Sequence, residues 1–297
     1  MHVNIAPGTP VRGSLRRWAA AVLGVVAVLC LLLMGARPAA AAVPGRTVVS
    51  NSTGLDSNNK GVSVSCPSGL VVVGAGADVS MAGRPYVVLD QLIPDQNSVS
   101  VYAYEYPDKP TNLIWGLRVW AACADPPSAG PMTTAWAKQG GSSPVNRVVT
   151  ATCPAGKVVY GTGWQIEGAR GQVMVDHVIP TKTSVSVSAY EIDGGITSGY
   201  SGNWSLKAIA RCGADPGGRQ IVTANTPATS DNKLGLVDCP SGKVPLGGGF
   251  EVHGLRDRIL VNNLIITNLN VQTAAYELID VSPGTWYIET YAVCVTP

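Results

Sequence analysis

The sequence predicts an all-β protein made of three equivalent, disulfide-linked units. Apolar and polar residues alternate in SVSVYAYE at 98–105 and in SVSVSAYE at 184–191, a period of two that is typical of half-buried strands. Further short segments rich in Val, Thr and Tyr are bounded by Gly, Pro, Asn or Asp. Nearly the same phrase also recurs three times, each time with a cysteine.

Residues 1–42 have the pattern of a secretory signal peptide. Three arginines between residues 12 and 17 precede an uncharged apolar run over 18–36, and small residues follow at 39–42. This order predicts cleavage near Ala42 and a secreted, extracellular protein. The alternative is a protein anchored at the cell surface by its N-terminus, because about 20 apolar residues can span a bilayer. The paired arginines leave general and twin-Arg export both open.

The charge balance argues against nucleic acid as a partner. The chain holds 21 Lys and Arg residues against 19 Asp and Glu, and four of the arginines lie within residues 1–42. The remainder is therefore slightly acidic and has no basic stripe that would attract nucleic acid or an anionic membrane surface. We expect no membrane association once the leader is removed, and the sequence leaves the oligomeric state open.

Beyond the leader, the chain divides into three units: 43–127, 128–215 and 216–297. The phrase CPSGLVVVGAG, which begins at residue 66, returns as CPAGKVVYGTG and then as CPSGKVPLGGG. Each unit also contains the motif AYE and a tryptophan eight residues before its closing cysteine. A fixed period of this kind indicates repeated supersecondary units. The units are called the first, middle and last thirds below.

The cysteine pattern predicts one disulfide within each third. Six cysteines remain after the leader, and an even count in an exported chain indicates disulfides. Their equivalent positions favour the pairs Cys66–Cys123, Cys153–Cys212 and Cys239–Cys294. A zinc site is the alternative, but the chain has no C-x-x-C spacing and its three histidines are scattered. The sequence therefore predicts no metal and no cofactor.

The Gly-rich phrase is predicted to be scaffold and not a phosphate-binding loop. Dinucleotide and P-loop sites place a helix directly after the glycines, whereas another strand is expected here. The opening C-P-S/A-G fits a tight turn. The glycine pairs that follow lie inside a strand, where they predict a bulge or a close backbone approach. These pairs are Gly74 and Gly76, Gly161 and Gly163, and Gly247 and Gly249.

Two arrangements of the thirds are compatible with these patterns. In the favoured one, three sheets surround a pseudo-threefold axis and share one core, a β-prism-like arrangement that hides sheet edges. In the alternative, three small disulfide-held β-sandwiches lie in tandem. The chain has a single Phe and short connections between its thirds. Modest cores of this kind favour sharing.

The phrase C-P-S/A-G-K/L-V-x-x-G-x-G, with an aromatic residue shortly before the closing cysteine, resembles repeats in exported proteins of actinobacterial type. The Ala-, Gly- and Val-rich, Lys-poor composition agrees with that origin, and the resemblance covers residues 46–297. That family has no established activity, so the resemblance implies no catalytic residues. The three-part layout is also similar to the β-prism of vitelline-membrane outer-layer proteins, in architecture but not in motif.

Two residues recur at equivalent positions in the thirds and are the best candidates for a binding site. One is a glutamate at the end of a predicted strand, suited to a cation or to sugar hydroxyls, or simply a strand-end charge. The other is a tryptophan near the closing cysteine, suited to stacking on a sugar ring or to the core. The glutamates are Glu105, Glu191 and Glu277, and the tryptophans are Trp115, Trp204 and Trp286.

Three further candidates break the threefold pattern. Trp136 and Trp164 have no counterparts, which suggests surface or site residues, and His177 follows Asp176 in a predicted strand. The chain contains no G-x-S-x-G or H-E-x-x-H motif, although a Ser-His-Asp triad need not be contiguous. The sequence therefore predicts a secreted, non-enzymatic module that binds a glycan or the cell wall. The alternatives are a structural or protein-contacting extracellular protein, including a protease inhibitor, and a secreted hydrolase.

Overall fold

The structure, a computed structural model, describes most of the chain after the predicted leader. It covers residues 43–81, 86–107, 112–141, 146–192, 200–278 and 284–297. These residues form 18 β-strands and no helix, which confirms the all-β prediction. Among them, no helical segment could cross a bilayer. The predicted leader, residues 1–42, lies outside the described residues.

Each third contributes six strands. The first third contains β1 (Thr47–Ser52), β2 (Lys60–Ser65), β3 (Val71–Met81), β4 (Val87–Pro94), β5 (Ser98–Glu105) and β6 (Trp115–Ala124). The middle third contains β7 (Thr133–Gly141), β8 (Asn146–Thr152), β9 (Lys157–Glu167), β10 (Val173–Pro180), β11 (Ser184–Glu191) and β12 (Trp204–Ala214). The last third contains β13 (Gln220–Asn225), β14 (Lys233–Asp238), β15 (Val244–His253), β16 (Ile259–Ile266), β17 (Asn270–Glu277) and β18 (Tyr287–Val295).

Burial along the strands follows the sequence pattern. In β8, Arg147, Val149 and Ala151 are buried, and the residues between them are exposed, as strict alternation requires. In β4, by contrast, Val87 and Val88 are both fully buried although they point to opposite faces. The fourth strand of a third is therefore central to the molecule, whereas the second strand lies at a sheet edge.

The 18 strands form three six-stranded sheets, and each sheet is shared by two thirds. Sheet A has the order β1-β6-β3-β16-β17-β14, sheet B the order β2-β5-β4-β9-β12-β7, and sheet C the order β13-β18-β15-β10-β11-β8. The two halves of each sheet meet where the third strand of one third pairs with the fourth strand of a neighbour. These pairings, called the exchange of half-sheets, connect the first third to the middle third, the middle third to the last third, and the last third to the first. They produce the predicted arrangement about a pseudo-threefold axis.

One apolar cluster draws on all three thirds. At its centre the ring of Trp164 in the middle third meets Phe250 in the last third edge to face, with centroids 6.0 Å apart. The Nε1 of Trp164 donates to the carbonyl of Leu89 in the first third at 3.3 Å. The core is therefore shared, as the favoured arrangement requires. The sequence suggests a surface role for Trp164, and the structure corrects this, because only 1% of the residue is exposed.

The first glycine of each Gly-x-Gly pair lies where the backbones of the three thirds converge on the axis. A Cβ at any of these positions would come within 2.5 Å of a carbonyl oxygen of the next third. Gly74 faces Leu246, Gly247 faces Tyr160, and Gly161 faces Val73. The contacts run from the first third to the last, from the last to the middle and from the middle back to the first. The missing side chain of each glycine therefore lets the backbone of another third approach the axis.

The second glycine of each pair lies at the junction between two thirds. A Cβ at Gly163 would lie 2.5 Å from the carbonyl oxygen of Leu92, in the fourth strand of the first third. The other junctions are alike, with Gly76 against Leu264 and Gly249 against Val178. The register also shifts just before Gly74 and Gly247. The prediction that these glycines mark a bulge or a close backbone approach is confirmed, and the structure shows both features.

Three disulfides join the predicted cysteines, and each one connects two sheets. The pairs are Cys66–Cys123, Cys153–Cys212 and Cys239–Cys294. Cys66 follows β2 of sheet B and Cys123 lies in β6 of sheet A; the other two bridges connect B with C and C with A. In the chain-entropy picture, bridges that close loops of this length each stabilise the fold by about 4 kcal/mol.

One arginine from each third donates hydrogen bonds to a backbone carbonyl of a neighbouring third. Arg211 donates from Nε and Nη2 to the carbonyl of Val72 at 3.1 and 3.0 Å. The equivalent carbonyls of the other thirds are also bound: Arg46 reaches Pro245 at 2.7 Å and Arg219 reaches Val159 at 2.8 Å. Burial lowers the pKa of Arg46 and of Arg211 to about 10. Both therefore stay charged at neutral pH and form charge-assisted hydrogen bonds.

Candidate functional site

The repeated tryptophan and glutamate form a hydrogen-bonded pair in each third. The Nε1 of Trp204 donates to Oε1 of Glu191 at 2.9 Å. The equivalent bonds are Trp115 to Glu105 at 3.1 Å and Trp286 to Glu277 at 2.8 Å. A cation from the second strand lies over each ring, with Lys60, Arg147 and Lys233 at 4.6, 4.5 and 4.7 Å from the centroids. Each third thus holds a cation, an indole and a carboxylate in the same arrangement.

These tryptophans are core residues, which corrects the hypothesis of an exposed sugar-stacking set. The exposed fractions are 0% for Trp115, 2% for Trp204 and 1% for Trp286. A sugar ring needs an aromatic face that is open to solvent, and these rings are buried within the fold. The three glutamates accept the buried indole N–H groups, which would otherwise be unsatisfied. Both sets therefore hold the second, fifth and sixth strands of each third together.

Of the candidate tryptophans, Trp136 is the one whose ring is exposed to solvent. It lies on β7, at the edge of sheet B, and 61% of it is exposed. The Nζ of Lys207 lies 4.8 Å from its ring centroid. Ile209, its cross-strand partner, is only 1% exposed. An indole in this position covers a buried aliphatic residue and still presents ring surface to solvent.

Each junction between thirds carries a buried polar residue at a β-bulge. In each third the pairing between the fourth and fifth strands leaves one residue of the fourth strand without a cross-strand partner. These residues are Asp90 in β4, Asp176 in β10 and Asn262 in β16, and each is at most 1% exposed. Burial raises the pKa of Asp90 to about 7, although hydrogen bonds from Gln91 and from the backbone of Gly171, and the charge of Arg170, act in the opposite direction.

His177 lies at the junction within sheet C. It is 8% exposed, and its Nδ1 lies 3.7 Å from Oδ2 of Asp176. Its cross-strand partners are Ser188 on one side and Glu251 on the other. Within the described residues, the Ser188 hydroxyl is buried and makes no hydrogen bond. The two residues therefore lack the contact that a nucleophile and its base require.

The outer face of sheet C beside His177 carries a cluster that the sequence did not reveal. Phe250 and Val252 of β15 point into the core, so Glu251 and His253 lie on the opposite face, next to Glu289 of β18. One ligand atom from each of the three lies within 4.8 Å of the others. His253 Nε2 is 3.6 Å from Oε2 of Glu251 and 3.5 Å from Oε2 of Glu289.

Neighbouring side chains hold this cluster in place. The ring of Tyr287 stacks on His253 with centroids 4.3 Å apart. The Tyr291 hydroxyl donates to Oε2 of Glu251 at 3.4 Å, and Nη2 of Arg256 donates to Oε1 of Glu251 at 3.1 Å. Burial, reinforced by the nearby carboxylates, raises the pKa of Tyr291. Tyr291 is therefore a protonated hydrogen-bond donor at neutral pH.

A surface groove of about 580 Å³ adjoins the cluster. It is lined by Tyr190 and by the β15–β16 loop, residues 254–258. In that loop Leu255 adopts a left-handed backbone with φ of 40°. Arg256 from the same loop lies 3.8 Å from Asp176 and binds Glu251. The loop thereby connects the buried junction of sheet C to its outer face.

No protein-family model matches the chain, and no curated protein matches its sequence. The assignment of a function therefore rests on these geometries.

Proposed function

We propose that the protein is an exported, non-enzymatic binding module that holds a glycan on the outer face of sheet B, around Trp136. Export is supported by the leader pattern of residues 1–42. It is also supported by three disulfides, which are typical of proteins in oxidising compartments. An exported protein meets the extracellular glycans of a cell wall, which are the class of ligand that we propose.

The observation that carries the proposal is the placement of Trp136 relative to the two sister sheets. In those sheets the aromatic residue of the equivalent cross-strand pair lies on the inner strand and a small polar residue lies on the edge. These pairs are Trp120 with Ser50 and Tyr291 with Thr223. Sheet B reverses the order and places its aromatic residue on the edge strand, opposite Ile209. The fold does not require this reversal, which exposes an indole at one place among three.

The side chains around Trp136 suit the polar part of a sugar. Lys138 lies two residues along the same face and forms an ion pair with Glu167 at 2.5 Å. Lys207 and Gln165 continue this polar surface across β12 and β9. The C–H face of a pyranose ring packs on an indole, while its hydroxyls bond to amines and carboxylates. Binding of this kind needs no nucleophile.

Affinity chromatography and a glycan array test the proposal. The wild-type protein should be retained on at least one polysaccharide, and Trp136→Ala should weaken that binding about 10-fold or more, a loss of about 1.4 kcal/mol. Leu234→Ala is the matched control, because Leu234 is 72% exposed on the edge strand of sheet A. It should bind like wild type. Retention on none of a broad panel, or equal retention of Trp136→Ala, would refute the proposal.

A further inference from the structure

We propose that Glu251, His253 and Glu289 form a binding site for a divalent first-row metal ion, of which zinc is the best match. The site lies on the outer face of sheet C, whereas the proposed glycan surface lies on sheet B. The two proposals therefore stand or fall separately. Four features of the cluster support the metal site: its spacing, an unpartnered nitrogen, its charge and its supporting contacts.

The spacing of the ligand atoms matches a metal ion better than a hydrogen-bonded network. Zn–N and Zn–O bonds of about 2.0–2.2 Å in a tetrahedron place neighbouring ligand atoms about 3.3–3.5 Å apart. The separations from His253 Nε2 to the two carboxylate oxygens are 3.5 and 3.6 Å. Hydrogen bonds between such groups are normally shorter, at about 2.7–2.9 Å.

The imidazole nitrogen that faces the carboxylates is buried. Within the described residues, Nε2 of His253 has no hydrogen-bond partner. A buried nitrogen without a hydrogen-bond partner is costly, and an imidazole nitrogen that carries no proton can bind a metal ion. The stacked ring of Tyr287 keeps the imidazole in this orientation.

The charge pattern differs from that of the sister sheets. Glu251 lies directly opposite Glu289 across β15 and β18, and like charges in that position are destabilising. Sheets A and B place a cation at the position of Glu289: Arg118 opposite Asp78, and Lys207 opposite Gln165. Sheet C has exchanged the built-in cation for a second carboxylate. Arg256 pairs with Glu251, and a bound cation would offset Glu289 in the way that Arg118 offsets Asp78 in sheet A.

The supporting contacts leave the ligand atoms available. Arg256 binds Oε1 of Glu251, so that Oε2 is the atom turned toward His253. Tyr291 donates to Oε2 itself at 3.4 Å, and a carboxylate oxygen has a second lone pair for a metal ion. Hydrogen bonds of this kind orient metal ligands and tune their basicity.

The ligand set selects the class of metal. One imidazole and two carboxylates suit zinc and its first-row neighbours. Calcium prefers six to eight oxygen ligands, and magnesium keeps most of its water shell. Three protein ligands leave a fourth position for water or for a group from a bound partner.

Isothermal titration calorimetry and thermal unfolding of the protein, purified without an affinity tag, test the site with ZnCl₂. We expect one zinc ion per chain and a higher unfolding temperature at saturation, and no comparable effect of MgCl₂ or CaCl₂. His253→Gln removes a ligand and should weaken zinc binding about 100-fold or more, since even supporting residues contribute about 10–100-fold. Glu289→Lys copies sheet B and should fold, abolish zinc binding and raise the unfolding temperature of the metal-free protein.

His177→Gln is the control, because His177 is the other histidine of the described residues and lies beside the cluster. It should bind zinc with unchanged stoichiometry and affinity. The proposal is overturned if wild type shows no saturable zinc binding. It is also overturned if His253→Gln binds zinc like wild type, or if His177→Gln loses binding while His253→Gln keeps it.

Discussion

Trp204 donates its indole N–H to Glu191 at 2.9 Å, at a site where Glu191 is only 4% exposed. Arg147 lies over the same ring, 4.5 Å from its centroid. The other thirds reproduce this arrangement with lysine in place of arginine. A carboxylate, an indole and a cation from three different strands therefore stabilise each third from within, and the carboxylate is buried in the middle third.

Glu191→Ala should lower the free energy of unfolding by about 1–3 kcal/mol, because it leaves a buried indole N–H without its acceptor. Glu191→Gln retains a carbonyl oxygen at the same place and should lose less. Chemical denaturation of the two variants, monitored by tryptophan fluorescence, measures the difference.

Glu167→Ala serves as the comparison for this prediction. Glu167 is a half-exposed carboxylate that forms an ion pair with Lys138, and such surface pairs contribute about 0–1 kcal/mol. If removal of Glu167 costs as much as removal of Glu191, the hydrogen bond to Trp204 is not a significant source of stability.

Gly161→Ala should destabilise the protein by about 3 kcal/mol or more, because the new methyl group meets backbone atoms that cannot rotate away. Its Cβ would lie 2.5 Å from the carbonyl oxygen of Val73 and 2.7 Å from Cα of Gly74. The unfolding temperature in calorimetry is the measurement.

Gly54→Ala is the matched substitution at an open position, where a Cβ meets nothing within 4 Å. It should be neutral or should stabilise by up to about 1 kcal/mol through the unfolded chain. An equal loss in both variants would argue against a crowded axis.

Asp90 should make the protein less stable as the pH rises from about 4 to about 7. Its pKa rises from 3.8 in the unfolded chain to about 7 in the folded one, chiefly through burial. Below about pH 4 Asp90 is protonated in both the folded and the unfolded state, and the folded state is at its most stable with respect to this group. Between the two pKa values the folded state alone retains the proton, so stability falls with pH and then levels off above pH 7.

Asp90→Asn is the test of this pH dependence, because the last third already has asparagine, Asn262, at the equivalent position. The variant keeps the shape and removes the titration, so its stability relative to wild type should grow between pH 4 and pH 7. The neighbouring groups Arg170 and Tyr104 remain in both proteins. A difference that stays constant over this range would contradict the assignment of the titration to Asp90.

Much of the fold could be predicted from the sequence, because its causes are local. Alternation predicts the strands, and the equivalent cysteine positions predict the bridges. The pairs Gly74 with Gly76 and Gly161 with Gly163 predict close approaches. The exchange of half-sheets could not be predicted in the same way. Alternation identifies the buried face of a strand but not the strand beside it, and that choice depends on packing between distant segments.

The candidate sites show the same division. The recurrence of Trp204 and Glu191 in every third made them visible, and their role is structural. Trp136 was visible because it lacks counterparts. Glu251 and His253 are separated by one residue on a single strand, but Glu289 joins them only through the register of β15 and β18. Sequence spacing alone therefore made the histidines look isolated.

The exchange of half-sheets has a consequence for how small such a protein can be. A single third, cut free, would carry two unpaired inner strands, equivalent to β3 and β4, each an open template for association. Three copies arranged like the thirds of this chain satisfy all of these edges in a closed cycle, so we expect an isolated third to assemble as a homotrimer. Covalent tethering of the three copies makes that assembly intramolecular, and the molecule stays closed however dilute its surroundings become.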